Sequence, residues 1–186
     1  MSAPQAVVLV EGNSDRVALH ALARRLGRDL PGEGVEIVPM GGIGNVRAFA
    51  TRYGPRGLDV RLAGLYDIGE KQQLRVGLAA AGVTGEREID ALAATGFHAC
   101  VVDLEDELIR TLGAGRAVAA VEQAGDGRSL RRLAHMPAHR GRPTEAVLRR
   151  FLGAQSGRKA RYAEVFVEAM ELGEAPAPLM AVLEQW

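Results

Sequence analysis

The stretch AVVLVEGNSDRVAL, positions 6–19, decides how this 186-residue chain is read. Ala6–Val10 is an unbroken apolar run rich in valine. A run with no polar face reads as a strand buried on both sides, the usual state of a central parallel strand. Glu11 and Gly12 follow at once. Asn13 or Ser14 can then cap a helix whose apolar face runs Val17, Leu19, Leu22 and Leu26. Glu11 is therefore expected at the carboxyl end of a central strand, where open α/β sheets place their ligands. Asp15 falls in the first turn of that helix. One carboxylate at a strand mouth with another just above it is the start of a cation site.

Working outward, the same alternation repeats. A second strand is expected over 35–38, then a glycine-rich turn at 40–44 and a helix to about Tyr53. A third strand covers 59–66 and ends at Asp67. Helices follow over 70–81 and 86–95, a fourth strand over 96–102, and a helix opened by acids over 103–112. Only helices come after: 116–123, 129–133, 144–151, 157–170 and 178–185. This order predicts an α/β fold, with a small central parallel sheet of about four strands flanked by helices and a helical C-terminal extension. The expected division is an α/β core over 1–127 and a helical, arginine-rich extension over 128–186 packed on it, with 135–143 the best linker candidate.

Composition narrows the function classes. An apolar share of 47% supports a real core and argues against disorder. The single cysteine, Cys100, excludes an internal disulfide framework and fits a reducing cytoplasm. No apolar run approaches the ~18 residues of a membrane span, and Met1 is not followed by a basic signal region. A cytoplasmic protein with no membrane partner is expected. Net charge is zero, but its distribution is uneven. Positions 128–161 hold ten Lys/Arg and one acid, Glu145, whereas five acids and no Lys/Arg follow Arg161. A basic block between acidic segments suits a face that tracks phosphates beside a cation site. Solvated arginine-rich helix faces would give the same count.

Three strand mouths end in carboxylate. Asp67 should share an edge of the sheet with Glu11 and Asp15 if the first and third strands are neighbours. The cluster Asp103-Leu104-Glu105-Asp106-Glu107 follows the fourth strand. Acids at a helix N-terminus also have an ordinary explanation in the helix dipole. Gly41 and Gly42 allow close backbone approach to a phosphate or to a neighbouring carboxylate loop, but no Gly-Lys-Ser/Thr follows to make a P-loop. His98 and Cys100 lack zinc-ligand spacing, and no histidine is assigned to a metal.

The order Glu11–Asp15, Gly41-Gly42, Asp67, the acids at 103–107, then Lys159 resembles the Toprim domain of OLD-family nucleases over nearly the whole chain. It is similar to free-standing actinobacterial proteins labelled ATP-dependent endonuclease or Toprim nucleotidyl transferase/hydrolase. The resemblance implies a Rossmann-like Toprim fold. It implies metal ligation by Glu11, Asp15, Asp67, Glu105 and, as a second candidate beside Glu105, Asp103. Toprim domains usually carry Asp-x-Asp at the third strand; here the chain reads Asp67-Ile68-Gly69-Glu70, so Glu70 would supply the second carboxylate from a longer arm. It implies a catalytic Lys159, in a chain whose only other lysine is Lys71. Gly41, Gly42, Arg158 and Arg161 are the expected phosphate or nucleic-acid contacts.

Clustered carboxylates suit Mg²⁺ or Mn²⁺, and two ions are expected. The function so implied is divalent-metal-dependent cleavage of DNA phosphodiester bonds, with Glu11 and Lys159 catalytic. A Toprim scaffold without chemistry and an RNA-processing nuclease are the alternatives; no aromatic stacking platform selects DNA over RNA. The chain holds no Walker motif, so any ATP dependence would come from a separately encoded ATPase. Oligomeric state is not legible.

Overall fold

A computed structural model describes residues 3–84 and 92–186. Four strands form one parallel sheet in the order β2-β1-β3-β4, where β1 is Ala6–Val10, β2 Val35–Pro39, β3 Arg61–Asp67 and β4 Phe97–Cys100. All five residues of β1 are buried. The side chains of Val7 and Leu9 enter a cluster with α2 (Val46–Tyr53) and α3 (Lys71–Ala81). Ala6, Val8 and Val10 point the other way, into a larger cluster with α1 (Asn13–Arg25) and α4 (Leu104–Leu112). Period-2 alternation thus sends one apolar run into two cores, which is why it carries no polar residue.

The larger cluster also takes in the C-terminal helices: α5 (Ala114–Gln123), α6 (Gly127–His135), α7 (Thr144–Gly153), α8 (Arg158–Ala169) and α9 (Ala177–Leu183). Their observed ends fall within two residues of those read from the pattern. α8 lies along α1 and also meets α4. It is anchored by the fully buried Tyr162 and Phe166, and the Tyr162 ring stands edge-on to Phe151 of α7 at 5.4 Å. This packing fixes α8, which carries Lys159, over the same sheet edge that bears Glu11.

Two strand boundaries differ from the pattern by two residues, the others by one at most. β4 stops at Cys100, not at 102: the Val101 N–H donates to Glu107 Oε1 at 2.8 Å, and the Val101 and Val102 side chains are exposed. A side-chain acceptor thus replaces the sheet partner. β3 begins at Arg61 because Asp59, with φ 51°, sits in the left-handed region and cannot extend the strand. Of the helix expected over 86–95, Leu92–Thr95 is a 3₁₀ turn, and 85–91 lies outside the described residues. Among the described residues, no helix is long and apolar enough to cross a membrane.

Candidate metal centre

β1 and β3 are hydrogen-bonded neighbours, with Leu9 opposite Gly64, so Glu11 and Asp67 emerge side by side at the carboxyl edge. Gly64 makes this pairing possible: a Cβ there would lie 2.6 Å from the Leu9 carbonyl oxygen and 2.8 Å from the Phe97 ring. Directly after Asp67, the 3₁₀ turn Ile68–Glu70 folds Glu70 back. Glu11, Asp67 and Glu70 each offer a carboxylate oxygen, and the three lie within 4.8 Å of one another.

The electrostatics are those of crowded acids. Burial, then the charges of Glu11 and Glu70, push the Asp67 carboxyl up to about 7. Glu70 is pushed up to about 7 by burial and then by its contact with Glu11. One oxygen of Glu70, Oε2, is buried without a hydrogen-bond partner. Among the described residues, no ion pair joins any of the three acids to a lysine or arginine. Hard oxygen donors, mutual repulsion and an orphaned oxygen fit a divalent cation such as Mg²⁺ or Mn²⁺.

Asp15 stands behind this triad. Its Oδ2 accepts the Gly12 N–H at 2.8 Å, closing the first turn of α1. Burial raises its carboxyl to about 6, with Glu105 and Glu11 adding to the rise and the Gly12 hydrogen bond opposing it.

The glycine pair has a backbone role. Gly41 and Gly42, at φ 73° and 112°, both donate their N–H groups to the Glu11 carbonyl oxygen, at 2.9 and 3.0 Å. Glycine is required because a side chain would be strained at these angles. Of the two partners expected for this turn, phosphate or carboxylate loop, both N–H groups are spent on the carboxylate loop.

The opposite wall comes from α4, α7 and α8. Asp103 caps α4, its Oδ1 accepting the Asp106 N–H at 2.8 Å. Glu105 is buried, and Lys159 Nζ lies 3.0 Å from its Oε2. Burial alone would lower the Lys159 ammonium, but the hydrogen bond to Glu105 and the nearby charges of Asp103 and Asp15 outweigh it and hold it raised, hence protonated. A cleft of about 260 Å³ opens between the walls, lined by Glu11, Asp15, Asp67, Asp103, Glu105 and Lys159.

Two expected contacts lie elsewhere. Arg161 pairs with Asp126 at 2.7 Å and donates to the Ala124 carbonyl. Arg158 stacks over the Phe151 ring at 4.1 Å and donates to the Phe151 carbonyl. Neither lines the cleft. Their position follows from helix geometry: residues one before and two after Lys159 project from other sides of α8. Arg149, not singled out by pattern, reaches the cleft wall, with Nη2 at 2.5 Å from Asp103 Oδ2 and Nη1 at 3.2 Å from Asp106 Oδ1. Its one sequence signal was membership of the basic block.

Residues 5–68 match the family described as "Overcoming lysogenization defect protein-like, TOPRIM domain". Over this segment the chain is similar to the Toprim domain of OLD-type proteins. It contains the strand of Glu11, the glycine turn and the strand of Asp67. Solved structures extend the likeness to the chain as a whole. The C-terminal region of the Burkholderia pseudomallei OLD protein is 20% identical with a TM-score of 0.73, over 97% of this chain and 96% of that one. The C-terminal region of the Xanthomonas campestris pv. campestris OLD protein is 23% identical with a TM-score of 0.74, over 99% and 95%. At these identities the likeness is one of fold: a Toprim-like α/β sheet whose helical C-terminal part is shared too. No curated protein sequence matches the chain.

Proposed function

We propose that this chain is a divalent-cation-dependent phosphodiesterase that cleaves DNA. The OLD-type Toprim domain is nuclease-related, and the arrangement at its sheet edge supports the reading. The observation that carries it is the triad Glu11, Asp67 and Glu70, with no ion pair to a lysine or arginine among the described residues, of which Glu11 and Asp67 face a protonated lysine across a polar cleft. These three acids would hold the ion. A divalent cation bound there supplies Lewis-acid activation of water and neutralises charge on the phosphodiester.

The chain's own residues do the rest. The Gly41 and Gly42 N–H groups lock the Glu11 backbone, so its carboxylate is aimed before any ligand arrives. Asp15 holds the turn at Gly12 and keeps α1 in register above the sheet. Lys159, steadied by Glu105, would set a positive charge against the negative charge that develops on the departing oxygen. Glu70, one residue beyond the second position of an Asp-x-Asp motif, brings a carboxylate oxygen within 4.8 Å of those of Glu11 and Asp67, which favours a working centre over a scaffold.

The test is incubation of the purified chain with supercoiled plasmid, linear DNA and RNA in Mg²⁺ or Mn²⁺. Cleavage of DNA is expected, and loss of it in Glu11→Ala and Asp67→Ala. Undiminished cleavage in either variant, or none by the unaltered chain with either ion, would overturn the proposal.

A further inference from the structure

The two walls of the cleft are balanced differently. Glu11, Asp67 and Glu70 have no lysine or arginine paired with them among the described residues, and Glu70 Oε2 is buried and unpartnered. On the facing wall every cleft acid already has a cation. Both oxygens of Asp103 are engaged, Oδ1 by the Asp106 N–H at 2.8 Å and Oδ2 by Arg149 at 2.5 Å. Arg149 also reaches Asp106 at 3.2 Å, and Lys159 holds Glu105 at 3.0 Å.

We propose that Arg149 is the resident counter-cation of the Asp103 wall and limits the free protein to one tightly held divalent ion. The family pattern, by contrast, led to an expectation of two. The inference rests on the reading of the triad as a metal centre. It concerns how much positive charge the cleft as a whole can take.

The two cations differ in how firmly they are placed. Lys159 makes one contact from a flexible stem, and its side chain is 53% exposed. Arg149 makes two contacts through a planar fork and is 36% exposed. It sits on α7 between Val147 and Leu148 on one side and Phe151 and Leu152 on the other, all four buried. α7 therefore cannot rotate to withdraw it. A guanidinium keeps its charge at every working pH. An ion arriving at Asp103 must break one charge-assisted hydrogen bond and then sit beside the displaced positive charge in a partly desolvated cleft. Among the described residues, no ion-paired lysine or arginine stands as such a competitor at the triad.

The experiment is titration of Mn²⁺ alone into the full chain at about pH 8, above the range in which carboxylates ordinarily titrate. Free Mn²⁺ is followed by electron paramagnetic resonance and heat by calorimetry. The unaltered protein is expected to bind one ion tightly. Arg149→Gln is expected to bind two, the second at least about tenfold tighter than any weak binding in the parent. Arg149→Lys, which keeps the charge, is expected to stay at one. Arg149→Met keeps the aliphatic stem and replaces the glutamine variant should circular dichroism show the latter unfolded. Two tight ions in the unaltered protein, or one in the charge-removing variant, would overturn this inference and leave the metal centre standing. No ion bound by the unaltered protein would overturn both.

Discussion

The carboxylates of Glu11 and Asp67 meet at the ends of two adjacent parallel strands, with an oxygen of each inside the same 4.8 Å cluster. Fifty-six positions separate them in the chain (67 − 11), and a crossover through β2 and α2 brings them together. Two like charges held this close in a partly buried site oppose folding unless protons or a cation screen them. Function and stability therefore pull in opposite directions here, and the first predictions measure that opposition.

Asp67→Asn is expected to weaken Mn²⁺ binding by more than the roughly 10–100-fold that loss of an outer hydrogen-bond partner brings. It should also raise the melting temperature of the metal-free protein, by about 2–4 °C for each kcal/mol of repulsion relieved in a chain of this size. Calorimetric titration and thermal denaturation of the same preparation check both. A variant that loses the ion and also melts lower would show that Asp67 is held by a favourable contact instead.

The pH dependence carries a definite sign. The carboxyls of Asp67 and Glu70 rise to about 7 and that of Asp15 to about 6 in the folded chain, above their ordinary values. The native state thus holds more protons than the unfolded one between about pH 4 and pH 7. Stability contributed by these groups is present at the acid end of that window and is lost as pH rises through it. Metal-free protein should show this loss relative to an Asp67→Asn, Glu70→Gln double variant. Added Mg²⁺ should restore stability at about pH 8 and do little at about pH 5, where protons already screen the site. Denaturant midpoints across pH test it.

Lys159→Met removes the ammonium and keeps most of the stem. Cleavage should fall by about 10²–10³, the usual cost of one preorganised charge donor at a developing oxyanion. The triad should keep its ion, because Lys159 faces Glu105 and not Glu11, Asp67 or Glu70. A gel-based cleavage rate set beside Mn²⁺ titration separates the two effects.

Gly64→Ala tests the scaffold. The added Cβ meets the Leu9 carbonyl at 2.6 Å, and backbone on a central strand cannot yield cheaply. A loss of about 1–3 kcal/mol in urea denaturation is expected, with weaker metal binding as β1 and β3 part.

Arg161→Ala should cost about 1 kcal/mol of stability through its contact with Asp126, which also accepts the Tyr162 hydroxyl at 2.8 Å. It should leave nucleic-acid affinity unchanged by fluorescence anisotropy. A large loss of affinity would return Arg161 to the phosphate-contacting role that its neighbours in sequence suggested.

Much of this molecule is decided locally. An apolar run of five residues, short for a helix, rich in valine and followed closely by Gly12, reads as a strand with both faces covered, and Glu11 after it then stands at the strand's mouth, because β geometry has a fixed period and direction. The acids at 67 and 103 follow by the same logic, and each helix announced itself through its apolar stripe. Which acids share an ion, which are already neutralised, and which arginines face the cleft depended on packing between distant elements. Arg149 meets Asp103 across 46 positions, and Arg161 turns to Asp126 although it lies two residues from Lys159. Periodicity places a residue on its own element, but the partner of a long charged side chain is chosen by whichever helix packs against it, and that choice is made only when the core closes.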